Sequence, residues 1–308
     1  MLDLSIIIPT YDEEDNVEPL YQALMATVPG LGRSFEVIFV DDGSRDQTFE
    51  RLTALAVRDS RVRVIKLRRN CGQAPAMAAG IDHARGRVLV TMDADLQNDP
   101  ADIGGLLAKL EEGYDLVVGW RHERQDKWLS RKLPSVIANR LIAFMTGVDV
   151  KDNGCTLKAF RADLIRRVPL YGELHRFIPA MTSTVGCHLA EVKVRHHPRR
   201  FGSSKYGLSR IYKVLLDIVT IKTLLAFARR PLFCFFSIAA AALVASAAFT
   251  AFSILFLGQS VGVFMSIAIL GGSLALFLGF AGVISSLVSQ YGGDRLAPLP
   301  PTTGDDRR

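Results

Sequence analysis

The sequence predicts an α/β fold: a doubly wound, mostly parallel sheet, followed by an amphipathic segment and two membrane-spanning helices. Three observations predict it. Short β-branched runs alternate with helical apolar periodicity between Leu4 and Gly119, the rhythm of βαβ units. Acidic or polar clusters follow three of those runs, at Tyr11/Glu13, Asp41/Asp42 and Asp93/Asp95. Open α/β sheets bind ligands at such carboxyl ends of strands. Finally, no Asp, Glu, Lys, Arg or His occurs from Pro231 to Gly293.

Leu4–Ile8 reads as the first strand, and Asn16–Thr27 as a helix with Val17, Leu20 and Leu24 on one face. Phe35–Val40 is the second strand. Ser44 or Asp46 is placed to cap the next helix, whose apolar face holds Phe49, Leu52, Leu55 and Ala56. Val62–Leu67 is the third strand, and the Gly72-Gln73 turn opens an Ala-rich helix through Ala84. Arg87-Val88-Leu89-Val90 is a buried strand leading into Thr91-Met92-Asp93-Ala94-Asp95-Leu96-Gln97. Ile103–Glu111 and Leu116–Gly119 add one helix and one strand.

The chain has 308 residues, of which 22% are charged, with a formal charge of +6. Its arginines cluster between Arg121 and Arg230, a pattern suited to phosphorylated small molecules and anionic lipid headgroups; no nucleic-acid partner is expected. Cys71, Cys155, Cys187 and Cys234 lack metal or disulfide spacing and read as reduced, mostly buried thiols. His175, His196 and His197 do not match zinc-ligand spacing. The start, Met1-Leu2-Asp3-Leu4-Ser5, lacks the basic region of a signal peptide.

Two carboxylates one residue apart repel unless a cation joins them. Asp93 and Asp95, at a strand end expected to face solvent, suit Mg²⁺ or Mn²⁺ shared with a substrate phosphate. The competing reading is a turn or helix cap. Three such clusters on one sheet edge favour a binding site.

Ile8-Pro9-Thr10-Tyr11-Asp12-Glu13-Glu14, Val40-Asp41-Asp42-Gly43-Ser44, Asp93-Ala94-Asp95-Leu96-Gln97 and Arg200-Phe201-Gly202-Ser203-Ser204-Lys205-Tyr206 resemble family-two glycosyltransferases of the GT-A fold. More narrowly they resemble the polyprenyl-phosphate glycosyltransferases: dolichol-phosphate mannose synthases, bactoprenol glucosyltransferases and undecaprenyl-phosphate formamidoarabinose transferases. The resemblance covers residues 1 to about 230. Asp12 departs from the usual Asn and is expected to disturb a turn hydrogen bond.

The resemblance implies a nucleotide-sugar donor bound by Pro9, Thr10, Tyr11, Glu13, Asp42 and Asp93, with Tyr11 against the base or ribose and Asp42 accepting from an N–H of the base. Core packing for Tyr11 and turn capping for Asp42 remain the bland readings. The resemblance also implies that Asp93, Asp95 and Gln97 hold the cation. Arg121, Arg131, Arg200 and Lys205 are candidates for phosphate contact, with Ser135 beside the acceptor phosphate. Asp152 is open to three readings: a base, an orienting group, or a loop cap.

Residues 1–207 are assigned to the catalytic domain and 208–230 to an amphipathic helix lying in the membrane interface. Two spans follow within 231–290, near 232–257 and 261–289, each about the 20 residues a bilayer core requires. Residues 291–308 read as a disordered cytoplasmic tail. Arg229-Arg230 and Arg295 flank the spans, while the Gly258-Gln259-Ser260 turn is uncharged, which places both termini in the cytoplasm of an inner-membrane protein. Gly271, Ala275 and Gly279 give the second span a smooth face, compatible with packing inside one chain or in a homo-oligomer.

The function expected is transfer of one sugar, with inversion, from a nucleotide sugar, a UDP-sugar foremost, to polyprenyl (undecaprenyl) phosphate. A GDP-mannose-using synthase is the alternative. A processive polysaccharide synthase is disfavoured by the lack of Gln-x-x-Arg-Trp and of further spans. A non-catalytic sugar-nucleotide sensor is disfavoured by the full set of metal and phosphate residues.

Overall fold

In the computed structural model the described residues are 2–122, 140, 143, 147–168, 170, 174–182, 186–198, 231–257 and 261–291. They form two compact units, an α/β unit and a pair of long helices.

The α/β unit contains β1 (Leu2–Thr10), α1 (Val17–Thr27), β2 (Phe35–Asp41), α2 (Thr48–Arg58), β3 (Val62–Lys66), α3 (Gln73–His83) and β4 (Gly86–Thr91). After these come α4 (Ile103–Glu111), β5 (Leu116–Arg121), β6 (Lys158–Arg161), α5 (Ala162–Ile165), α6 (Ile178–Thr182) and β7 (Leu189–Val194). The seven strands make one sheet in the order β3-β2-β1-β4-β6-β5-β7. β1 pairs in parallel with β2 and β4, and β5 in parallel with β7, whereas β6 runs antiparallel between β4 and β5. The first five strands and four helices lie within a few residues of their sequence-predicted bounds. β6, β7, α5 and α6 were not anticipated.

Strand alternation divides the core between the two faces of the sheet. Ile6, Ile8, Val37 and Phe39 pack with Leu20 and Leu24 of α1, Leu52 and Leu55 of α2, and Leu106 and Leu110 of α4. Ile7, Ile38, Val40 and Leu89 face Ala76, Met77 and Ile81 of α3, with Leu164 and Ile165 of α5. Each such aliphatic side chain, fully buried, contributes about 1.5–3 kcal/mol. Both faces being covered explains why β1 and β2 read as continuous apolar runs.

Parallel register puts the ends of β1 and β2 side by side, Thr10 opposite Asp41. Because β4 also lies parallel to β1, with Ile7 opposite Thr91, the acidic turn that follows it opens on the same sheet edge. At the opposite end, the buried Glu36 carboxylate accepts from Ser5 Oγ at 2.6 Å, Arg63 Nη1 at 2.7 Å and the Arg85 amide at 2.7 Å. It thereby joins β1, β2, β3 and the start of β4.

The helical unit consists of α7 (Pro231–Leu257) and α8 (Val261–Tyr291), both long and apolar enough to cross a membrane. They pack on each other through small residues: Gly271 abuts Ser246, whose hydroxyl donates to the Ile267 carbonyl at 3.2 Å. A Cβ on Gly282 would lie 2.7 Å from the Phe235 Cβ. Gly279 has no neighbour at Cβ distance among the described residues, so the Gly271/Ala275/Gly279 face is only partly the packing face. Phe233, Phe236, Phe277 and Phe280 point outward and are more than half exposed, as lipid-facing side chains are.

Candidate active site

The edge formed by the ends of β1, β2, β4 and β5 carries the candidate site. At the end of β1 the buried Thr10 hydroxyl donates to the Val40 carbonyl at 3.1 Å, locking β1 to β2. Pro9 and Tyr11 are half-buried beside it. Asp12 adopts the left-handed region with φ 49°, which Asp tolerates better than most residues. Its carboxylate accepts from the Arg45 amide at 2.8 Å and its own amide donates to Ser44 Oγ at 3.0 Å. The turn hydrogen bond expected to suffer from Asp at this position is therefore made. The Glu13 amide donates to Thr48 Oγ1 at 2.8 Å, and its carboxylate accepts from Asn16 Nδ2 at 2.5 Å. Neither Ser44 nor Asp46 takes the N-cap position of α2, which Gln47 occupies, but Asp46, one residue earlier, accepts from the Thr48 amide and hydroxyl at the start of the helix.

At the end of β2, Asp41 is fully buried; its Oδ1 accepts from the Ser44 amide, and its Oδ2 finds no hydrogen-bond partner among the described residues. Asp42 is held at both oxygens by backbone donors, Cys71 N at 2.7 Å and Gly72 N at 2.8 Å. Burial pushes its pKa up; the two amides oppose that rise and the Asp41 charge adds to it. Gly43, at φ 71°, allows the loop to touch this turn: a Cβ there would lie 2.6 Å from the Arg69 carbonyl carbon. Asp42 therefore organises the entry into α3.

Gln73, the first residue of α3, donates from Nε2 to Asp93 Oδ1 at 2.6 Å. The Gly72 amide and the Gln73 side chain thus link Asp42 to Asp93. Asp95 is only 6% exposed, which corrects the expectation of a solvent-facing carboxylate. Its Oδ1 accepts from the Gln97 amide at 3.2 Å across Leu96, which sits in the left-handed region at φ 59°. A bulky residue there is strained and persists only where its surroundings hold it.

Arg121, at the end of β5, closes a two-point ion pair with Asp152: Nε to Oδ2 at 2.7 Å and Nη2 to Oδ1 at 2.8 Å. Both side chains are largely buried, and Gly154 leaves room, since a Cβ there would stand 3.3 Å from Arg121 Nη2. Burial works against the Arg121 charge, but the Asp152 carboxylate more than offsets it, so the guanidinium stays charged. Of the three readings of Asp152, the orienting one is the reading that this pair with Arg121 supports.

Lys158, at the start of β6, is a buried lysine that the sequence reading did not single out. It is 2% exposed, and its ammonium donates to the carbonyls of Cys155 and Asn153. Burial pulls its pKa down to about 8, with the Cys155 thiol and the Asp152 carboxylate opposing that pull. Burial likewise pushes the Cys155 thiol up to about 11. All four cysteines are unpaired, but only Cys155 is buried and Cys71 is exposed, contrary to the expectation of mostly buried thiols. Arg131, Ser135, Arg200, Lys205, the 208–230 segment, the 258–260 turn and the 292–308 tail lie outside the described residues.

The side chains of Asp93, Asp95 and Gln97 offer oxygen ligands, a donor type that fits Mg²⁺ or Mn²⁺ and does not fit a soft metal. Among the described residues no three His, Cys, Asp or Glu side chains converge on one point.

A mixed sheet of this kind, with acidic turns gathered at one edge, has the architecture of a GT-A-type fold. The sequence model described as Glycosyl transferase family 2 matches residues 5–169, and the chain belongs to that family; it is a glycosyltransferase. A dodecaprenyl-phosphate galacturonate synthase of Rhizobium johnstonii is 44% identical over 234 residues, covering 75% of this chain and 69% of that protein. An undecaprenyl-phosphate 4-deoxy-4-formamido-L-arabinose transferase of Shewanella sediminis is 40% identical over 221 residues, covering 71% of this chain and 66% of that one. The matched stretches thus span about two thirds of those relatives.

Among solved structures, glucosyl-3-phosphoglycerate synthase from Mycobacterium tuberculosis, in complex with Mn²⁺, UDP and phosphoglyceric acid, has a TM-score of 0.54 at 20% identity. The match covers 70% of this chain and 78% of that one. TarS residues 1–349 of S. aureus, in complex with UDP-GlcNAc, gives 0.51 at 18% identity, covering 71% and 66%. These likenesses show the fold.

Proposed function

We propose that this glycosyltransferase moves a single sugar from a UDP-sugar to a polyprenyl phosphate at the membrane, with inversion at the anomeric carbon. The observation that carries this reading is the presence, in one chain, of a nucleotide-type acidic sheet edge and two membrane-length apolar helices. The relatives named as dodecaprenyl- and undecaprenyl-phosphate transferases support the lipid acceptor.

In this reading Pro9, Thr10 and Tyr11 line the nucleoside pocket. Glu13, through Asn16, and Asp42, through Cys71 and Gly72, hold its two loops in place. Asp93, Asp95 and Gln97 would hold a divalent cation, which when bound would neutralise charge on the departing nucleotide. Arg121, with Nε and Nη2 committed to Asp152, directs its other donors towards phosphate or sugar oxygens. Arg131, Ser135, Arg200 and Lys205 are assigned to the acceptor phosphate from sequence alone.

An acceptor phosphate oxygen attacks the anomeric carbon, forming the new C–O bond as the bond to the diphosphate breaks and its electron pair leaves with the nucleotide. The second pKa of a phosphate monoester is about 6, so near neutrality the acceptor is already a dianion and needs no protein base. Asp152 then serves to fix Arg121. We assign both termini to the cytoplasm and the protein to the inner membrane, from the arginines flanking the spans.

The test is to incubate membranes containing the protein with Mn²⁺, undecaprenyl phosphate and labelled UDP-sugars, including those of the two sugars named in the relatives. Label extracted into organic solvent as a lipid-linked monosaccharide is the expected result. Polymer, or no transfer from any UDP-sugar, would overturn the reading.

A further inference from the structure

Asn98 stands where three loops of the site meet. It follows the Asp95-Leu96-Gln97 turn and is 4% exposed. Its Nδ2 donates at 3.0 Å to Oγ1 of Thr156, in the loop between Asp152 and β6. The Thr156 carbonyl accepts from the Thr91 hydroxyl at 2.8 Å, so this loop is anchored to the end of β4 as well. The Asn98 backbone forms an antiparallel bridge with His196, in the segment leaving β7. That segment is fastened on either side of the bridge. The His197 amide donates to the Gln97 carbonyl at 2.9 Å, and Arg195 pairs with Asp99 and Asp102, both at 3.1 Å.

The turn these contacts surround is one that local preference opposes. Leu96 has φ 59°, and Asp95 is buried immediately before it. Neither feature arises from the turn itself: a bulky side chain avoids the left-handed region, and a carboxylate avoids burial. Both follow if neighbouring loops hold the turn closed. Asn98 reaches two of those loops at once, through its side chain to Thr156 and its backbone to His196.

We propose that Asn98 is a positioning residue for the cation-holding turn, fixing Asp95 and Gln97 relative to the Asp152 loop through Thr156 and to the β7 segment through His196. This rests on the reading that Asp93, Asp95 and Gln97 hold a divalent cation. Groups that orient metal ligands without touching the metal typically change its affinity about 10- to 100-fold when removed.

The test is calorimetric titration of Mn²⁺ into the full-length protein in detergent with UDP present, alongside kinetics and thermal melts. Thr156→Val, nearly isosteric and removing only the hydroxyl, raises the half-saturating Mn²⁺ concentration about tenfold, as does Asn98→Ala. The two together are no worse than one, because they remove the same bond, and Thr156→Ser, which keeps the hydroxyl, restores the wild-type value. kcat falls while KM for the acceptor is unchanged. If both variants lower Tm but leave Mn²⁺ half-saturation unaltered, Asn98 is merely structural and the proposal is wrong. If the wild-type protein binds UDP with no dependence on Mn²⁺, the cation reading itself fails and takes this proposal with it.

Discussion

The Arg121 guanidinium and the Asp152 carboxylate, 31 residues apart in sequence, meet edge to edge with both contacts under 3 Å. The pair is largely buried, so either partner alone is an uncompensated charge, a loss of about 3–5 kcal/mol when such a pair is broken. Asp152→Asn is therefore expected to lower kcat about a hundredfold by releasing Arg121 from its working position. Arg121→Ala should do the same, and the double variant should be no slower than the slower single. Multiplying defects in steady-state kinetics would instead assign the two residues independent roles, with Asp152 as a base.

Asp95 is buried, so its most informative replacement is Asn, which fills the same space without the charge. Asp95→Asn and excess EDTA should each abolish turnover, while the melting temperature of the variant stays close to that of the metal-free wild type. Donor binding followed by calorimetry should lose its Mn²⁺ dependence in the variant. Full activity in EDTA would remove the cation from the account.

These two relationships differ in how far the sequence showed them. Asp93 and Asp95 were legible because an apolar run and the acidic turn that ends it are contiguous, and the parallel order of β1, β2 and β4 followed from local alternation. The burial of Asp95 was not, because the segment after β7 that fastens its turn lies about a hundred residues downstream. β6 escaped because Lys158-Ala159-Phe160-Arg161 is four residues long with charges at both ends, and its lysine is buried by tertiary contacts alone. β7 has alternation in Leu189–Val194, but its flanks, Cys187-His188 and Arg195-His196, carry no turn signal. The Arg121–Asp152 pair needed β5 and the 147–156 loop to be brought together. No local pattern encodes that.

Glu36 offers a test of the far end of the sheet. Burial works to raise its pKa, but Ser5, Arg63 and the Arg85 amide more than offset this and hold it below the ordinary value of 4.5. A carboxylate whose native pKa is depressed binds its proton more readily when unfolded. Its stabilisation is thus complete above the unfolded value and is lost as pH falls below it through the native one. Glu36→Gln should cost about 2 kcal/mol near neutrality. The deficit should shrink as denaturant midpoints are measured from pH 6 down towards pH 3. A deficit independent of pH would show that shape, not charge, is what Glu36 supplies.

The proposed topology rests on Arg229, Arg230 and Arg295 beside two spans joined by an uncharged turn. A green fluorescent protein fused after Arg308 should fluoresce in cells, and alkaline phosphatase at the same site should be inactive. The opposite pair of results would put the sheet edge on the wrong side of the membrane for a cytoplasmic nucleotide sugar.

The most direct measurement is the mass and linkage of the lipid product formed by purified protein in nanodiscs with Mn²⁺, a UDP-sugar and undecaprenyl phosphate. The account predicts a lipid heavier by one glycosyl residue, joined as a phosphodiester with the anomeric configuration of the donor inverted, and absent when EDTA is added. A lipid of unchanged mass beside released UDP, a product carrying several sugars, or retention of configuration would contradict it.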